Sequence, residues 1–243
     1  MSRSVVLAGT PRCDRCLLPP RWCLCPGPAP VSIPLRVDVL MHFREQWRPS
    51  STGRLVERAV VGARRHIFRK EVPVARESVA LPDRELWILH PRGESLDSVS
   101  AQGVLSPERL QILLLDGSWG ETRNMVALTE GWGRLVNLPL TGESRYWLRA
   151  QQGDGRQSTV EALMGLLRHL GLSDAAAQLA LHFELQVYAS LQARGQIGPA
   201  ADYLKDSPIR DAFPDVLERL HRRRPNELAL QGRDGRKQGN EAA

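Results

Sequence analysis

Four cysteines, Cys13-x-x-Cys16 and Cys23-x-Cys25, fall within thirteen residues, and the rest of the 243-residue chain contains none. Thiolates this close in sequence can surround one tetrahedral zinc ion, and sulfur-rich sites suit zinc or iron. Arg12, Arg15 and Arg21 would offset the negative charge of such a site. A closed four-ligand site leaves no open coordination position, so the expected metal is structural. An iron–sulfur cluster, a redox dithiol or idle thiols are the alternatives. A second stretch, LLLDGSWGETRNM, sets Asp116 at the end of an apolar run, then Gly117 and Ser118, then Trp119 ahead of a helical pattern. A carboxylate there can accept a proton, and an indole can stack on a base or a cation. Asp116 could instead cap the next helix, with Trp119 in the core. In a third stretch, ESRYWLRAQQGDGRQ, Arg145 and Arg149 flank Tyr146 and Trp147 beside a glycine-rich loop. Interleaved basic and aromatic residues suit a nucleic-acid face, although Trp147 could equally be core.

The elements that must carry these residues alternate in type. In PLRVDVLMH, Leu35, Val37, Val39 and Met41 alternate with Arg36, Asp38 and Leu40, which predicts a partly buried strand. SSTGRLVERAVVGARRHIF predicts a helix, with Leu55, Ala59 and Ala63 four apart. ELWILH and LQILLLD predict two more strands, GETRNMVALTEG a helix and LVNLPL another strand. QSTVEALMGLLRHLG is the clearest helix: Ser158 and Glu161 have capping-box spacing, Leu163, Leu166, Leu167 and Leu170 form its stripe, and Gly171 ends it. Residues 174–194 predict a longer helix with Leu179, Phe183, Val187 and Leu191 on one face. The expectation is an α/β fold: a mostly parallel sheet with helices on both faces, preceded by a small metal-binding knuckle. The division that follows is a knuckle over 1–30, a catalytic α/β domain over 31–221 and a flexible polar tail over 222–243. In such folds ligands bind at the carboxyl ends of the strands, where His42, His90 and Asp116 fall. The histidines also read as ordinary strand-end residues.

Composition narrows the partners. The formal charge is +6 with a pI near 9.6, and lysine occurs only at Lys70, Lys205 and Lys237, so arginine carries the positive charge. Arginine forks onto phosphate and stacks on bases, which favours a polyanionic partner, although a GC-rich genome gives the same bias. No apolar run approaches the about 20 residues of a membrane span, and the amino-terminal apolar stretch is too short for a signal-peptide core, so a cytoplasmic protein is expected. Nothing reads as a dimer seam, and oligomeric state stays open.

Asp116-Gly-Ser-Trp119 resembles the Asp-x-Thr-Trp signature of the DTW-domain family, and further family landmarks follow in order. The cysteines at 13–25 are similar to its amino-terminal metal motif. HFREQWRPSSTGRL, residues 42–55, is similar to the block in which a His-x-x-Glu precedes a Ser-x-Thr-Gly turn. ETRNM matches the usual helix start, and QSTVEA matches Ser-Thr-x-Glu-Ala. The landmarks span residues 13 to 162. Ser118 stands in place of the usual threonine, Ser51 in place of asparagine and Phe43 in place of proline.

The resemblance implies a tRNA-uridine aminocarboxypropyltransferase, related to the SPOUT-like methyltransferases and so with a trefoil-knotted sheet among its expectations. It would move the 3-amino-3-carboxypropyl group of S-adenosylmethionine to uridine N3 of tRNA and release methylthioadenosine. Asp116 would be the general base and Trp119 a wall or stacking residue. Ser51, Thr52 and Gly53 open a helix whose N–H groups could hold the cofactor carboxylate or a phosphate, reinforced by Arg54. Gly117 and Ser118 belong to the same expected cofactor site. The match adds Ser158 and Thr159 to it, although a capping box alone explains them. Arg145 and Arg149 would contact RNA, and zinc would sit on Cys13, Cys16, Cys23 and Cys25. The rivals are an S-adenosylmethionine-dependent RNA methyltransferase, the same transfer on ribosomal RNA, and a non-catalytic zinc-containing RNA-binding module.

Overall fold

A computed structural model describes residues 11–72, 74–103, 106–139, 142–149 and 157–222. Five parallel strands form one sheet in the order β2-β1-β4-β3-β5, with β1 Arg36–His42, β2 Arg64–Phe68, β3 Glu85–Ser95, β4 Leu110–Asp116 and β5 Arg134–Asn137. Parallel neighbours need crossover connections, and helices α1 Thr52–Ala59, α2 Leu96–Ala101 and α3 Trp119–Leu128 lie in them. Then come α4 Thr159–His169, α5 Ser173–Ala193, α6 Ile197–Lys205, α7 Ile209–Ala212 and α8 Pro214–His221.

The sheet is buried on both faces. Val37, Val39, Met41, Ile112 and Leu114 pack into one core with Leu55 and Val56 of α1, Leu163 and Leu167 of α4, and Leu179 and Phe183 of α5. Leu40, Ile88 and Leu113 point the other way, into a smaller core with Met125 of α3 and Trp132. The expected α/β architecture is therefore present. The alternation read in β1 is corrected: Leu40 is as buried as its neighbours, and Asp38 is buried too, because a central strand of a covered parallel sheet has no wet face. Asp38 is kept there by Arg36 Nε at 3.0 Å, His66 Nε2 at 2.9 Å and Gln111 Nε2 at 2.8 Å.

Three further departures have local causes. The helix expected through residue 68 stops at Ala59; Gly62, at φ +73°, turns the chain, and Arg64–Phe68 becomes edge strand β2. Its Arg-Arg-His start hides the strand pattern. β3 runs past His90 to Ser95, with a register shift against β5 between Leu89 and Glu94. Pro91 cannot donate to a ladder, which suits an irregular stretch. Helices α6–α8 were not read from the sequence. The knuckle is part of the main core, since Cys16, Leu18, Trp22 and Leu24 join the same cluster as α5, and Arg219 of α8 donates to Cys23 O at 3.1 Å. The expected tail beyond Arg222 and part of the glycine-rich loop, 150–156, lie outside the described residues, as does part of the path on which a knot would depend.

Candidate active site

Three segments converge on the carboxyl end of β4. Asp116, only 1% exposed, accepts from Ser51 Oγ at 2.8 Å through Oδ2, and from Gly53 N at 3.3 Å and Thr159 Oγ1 at 2.8 Å through Oδ1. The amino termini of α1 and α4 are thus both tied to one buried carboxylate, which their positive dipole ends favour. Ser51 is also the N-cap of α1, accepting from Arg54 N at 3.2 Å. Gly53 is required there: a Cβ would lie 2.6 Å from Asp116 Cγ. Asp116 itself does not cap α3. Ser118 does, in a reciprocal box with Glu121, which accepts from Ser118 N at 2.8 Å.

A cavity of about 900 Å³, counting its open mouth, lies beside this junction. Its walls are Leu89 and His90, where the β3–β5 register shift begins, Leu115 and Gly117 at the end of β4, and Asn137 and Leu138 at the end of β5, with Trp119, Arg149 and the α4 start at Ser158 and Thr159. That is the region the strand-end rule selects. Trp119 is 51% exposed at its rim, so the core reading of this residue is set aside. Burial and the Arg92 charge pull the His90 imidazole below its usual range, which keeps it neutral at pH 7. Its Nδ1 accepts from Arg92 N at 3.2 Å, leaving the Nε2 proton as a donor.

Behind the cavity lies a carboxylate that the sequence reading did not select. Glu45 is 1% exposed; Oε1 accepts from Arg48 Nη1 at 2.5 Å, while Oε2 has no hydrogen-bond partner and faces Arg149 Nη2 at 3.8 Å. Burial, with the Asp116 charge adding to it, raises the Glu45 carboxyl above its usual range, against the pull of Arg48 and Arg149. The signal was present in the sequence as the Glu of the His42-x-x-Glu45 block. His42 itself pairs with Glu121 Oε1 at 3.0 Å, and burial holds its imidazole below the usual range despite that carboxylate.

The cysteines meet in the knuckle that Arg54 of α1 holds through Asp14 O and Arg15 O. Their four sulfur atoms lie within 4.8 Å of one another, with Cys13–Cys25 at 3.5 Å and Cys16–Cys23 at 3.7 Å, and none is in a disulfide. Tetrahedral zinc–thiolate geometry with bonds of about 2.3 Å puts sulfurs roughly 3.8 Å apart, so the set can hold a metal ion. Burial would raise the Cys13 thiol, but backbone hydrogen bonds at Cys16 and Arg15 bring it down to about 6. Burial raises Cys23 and Cys25 above the usual thiol range.

The family model of the DTW domain matches residues 10–192, about three quarters of the chain. The chain belongs to the DTW-domain family. No solved structure matches it. The DTW match takes in every landmark from Cys13 to Glu161 and ends inside α5, so α6–α8 lie beyond it.

The fold gathers most DTW landmarks at one place but gives them different tasks. Gly117, Ser158 and Thr159 line the cavity; Ser51 and Gly53 meet Asp116 behind it, with Thr52 buried between them. The Arg54 guanidinium reaches away, to Gln46 O at 3.0 Å, Asp14 O at 2.9 Å and Arg15 O at 3.0 Å, and so ties the knuckle to the loop after β1. The box at Ser158 is present, and Glu161 does more than cap: it also accepts from Ser144 Oγ at 2.8 Å and Arg145 N at 3.0 Å, stitching residues 144–145 to α4. Arg145 forks onto Glu184 of α5 at 2.5 and 2.8 Å and covers the Tyr203 ring at 4.6 Å. That hydrogen-bonded pairing holds its guanidinium above the usual range. Trp147, 44% exposed, meets Tyr203 edge-on at 5.1 Å. Arg149 stacks over Tyr146 at 5.4 Å, and the Tyr146 hydroxyl donates to Ser50 O. Among the described residues no helix is long and apolar enough to cross a membrane.

Proposed function

We propose that this DTW protein transfers the 3-amino-3-carboxypropyl group of S-adenosylmethionine to N3 of a uridine in tRNA, releasing methylthioadenosine. Membership of a family of tRNA-modifying transferases carries the reading, and the cavity beside Asp116 supports it. S-adenosylmethionine supplies a methylene activated by its sulfonium. The walls of Leu89, Leu115 and Leu138 suit the apolar faces of an adenosine, and Asn137, Gln157 and the His90 Nε2–H suit its polar edges. Trp119 at the rim offers a face on which a uracil can stack.

Uridine N3 must lose a proton to become the nucleophile. Asp116 is too buried to touch it directly, but Thr159 both lines the cavity and donates to Asp116 Oδ1. The Thr159 hydroxyl takes the N3 proton as it passes its own to Asp116, while the N3–C bond forms and the C–S bond breaks. Ser51 and Gly53 hold the carboxylate in register during that exchange; Thr52, Gly117 and Ser118 shape the turns around it. Arg54 and Arg145 act one step further out, fixing the loops that border the RNA side. Zinc on Cys13, Cys16, Cys23 and Cys25 serves as a structural staple.

The test is mass spectrometry of bulk tRNA after incubation with protein and S-adenosylmethionine, with the small products resolved in the same run. A nucleoside heavier by an aminocarboxypropyl group, together with methylthioadenosine, is expected. A methylated nucleoside with S-adenosylhomocysteine would replace the chemistry and leave the partner. Modification of ribosomal RNA alone would replace the partner.

A further inference from the structure

Among the described residues that line the cavity, Arg149 alone carries a formal charge, since no carboxylate lines it and His90 is neutral. Its surroundings are built rather than incidental. Tyr146 lies under the guanidinium, and Tyr146 is itself pinned to Ser50 O; the backbone just before it is stitched to Glu161. Behind stands Glu45, buried and with Oε2 lacking any hydrogen bond, 3.8 Å from Arg149 Nη2. At 3.8 Å the carboxylate attracts and orients the guanidinium without taking any of its five N–H donors. A buried carboxylate oxygen without a partner costs stability, and that cost is explained if its task is to aim Arg149.

We propose that Arg149 is the subsite for the carboxylate of the aminocarboxypropyl chain, with Glu45 as the positioning residue that points it into the cavity. This rests on the reading of the cavity as the S-adenosylmethionine site. A guanidinium matches a planar carboxylate through two parallel N–H donors. The carboxylate belongs to the group that is transferred and not to the methylthioadenosine that leaves. Arg149 therefore holds the piece that ends on uridine, and its contribution to product release differs from that of the adenosine-binding wall. An RNA phosphate offers the same oxyanion chemistry from another source, and binding measurements separate the two.

The experiment compares affinities by calorimetry for wild-type, Arg149→Ala and Glu45→Gln protein, each checked for an unchanged circular dichroism spectrum. The probes are S-adenosylmethionine, its decarboxylated analogue, 5′-methylthioadenosine and bulk tRNA. Arg149→Ala is expected to weaken S-adenosylmethionine by about 10- to 100-fold, the size of a charge-assisted hydrogen bond. The decarboxylated analogue, methylthioadenosine and tRNA should stay within about twofold. Glu45→Gln should show the same selectivity with a smaller loss, whereas a purely structural role would weaken all adenosine ligands together. Equal losses for S-adenosylmethionine and methylthioadenosine in Arg149→Ala would overturn the carboxylate assignment, as would a loss confined to tRNA, which assigns Arg149 to a phosphate. If wild-type protein binds none of the adenosine ligands, the reading of the cavity falls first and the proposal with it.

Discussion

The two ends of the sheet each bury an aspartate, and they treat it differently. Toward the amino end, Asp38 is enclosed by Arg36, His66 and Gln111, and Gln111 also donates to Val79 O at 2.8 Å and accepts from Leu81 N at 2.8 Å. Charge meets charge, and the network closes on itself. At the carboxyl end, Asp116 has only neutral donors, two helix starts attached to them, and a neighbouring acid, Glu45, with one oxygen unbonded. One end is finished without a ligand and the other is not. Burial alone therefore does not distinguish the two carboxylates; what differs is that the donors to Asp116 are neutral and one of them, Thr159, lines a cavity.

Replacing the aspartates tests that contrast, with the largest effect at Asp116. Asp116→Ala strands Ser51 Oγ, Gly53 N–H and Thr159 Oγ1 in the interior and should cost about 3–5 kcal/mol in denaturant melts while abolishing turnover. Asp38→Asn should cost about 2 kcal/mol at pH 7 and spare catalysis. This second loss should depend on pH. Burial works against ionisation of Asp38, but His66 and Arg36 hold its carboxyl below the usual range, so in acid the unfolded chain binds the extra proton. Wild-type stability should then fall as pH drops below about 4, and the gap to Asp38→Asn should narrow there. A gap that widened in acid would contradict the assignment of Asp38 as the ionised member.

Thr159→Val sharpens the comparison at the Asp116 end. Asp116 keeps two donors, so the melt should shift by only about 1 kcal/mol, while turnover should fall about 100-fold or more and Thr159→Ser should restore it. Equal loss in the serine and valine variants would remove the hydroxyl from the proton path. The smallest effect on folding is expected for Trp119→Ala, below about 0.5 kcal/mol because half the side chain is already in water, with its weight seen in the KM for RNA.

Much of this was legible in the sequence because it depends on local pattern. The apolar run ending in Asp116, the serine that opens α1 and the Ser158–Glu161 box each state their structure within a few residues. What was hidden depends on pairing across long separations. Arg64–Phe68 is a strand only because β1 lies beside it, and its polar side chains gave no alternation to read. The pairing of Arg145 with Glu184, 39 residues later, is of the same kind: no neighbour in sequence announces it. Glu45 sat within a recognised block, yet no neighbour in sequence announced that one of its oxygens would be left without a bond.

Strand order also bears on how the chain is made. Gln111 reaches Asp38 across 73 residues, and Thr159 reaches Asp116 only 43 residues later still. At about 5–20 residues per second, a ribosome leaves the apolar flank of β1 waiting on the order of 4–15 seconds for β4. Through that interval the nascent chain presents an unpaired, two-sided hydrophobic edge, a target for chaperones and for self-association. Slower translation between residues 68 and 110 should therefore lower soluble yield without altering the finished protein.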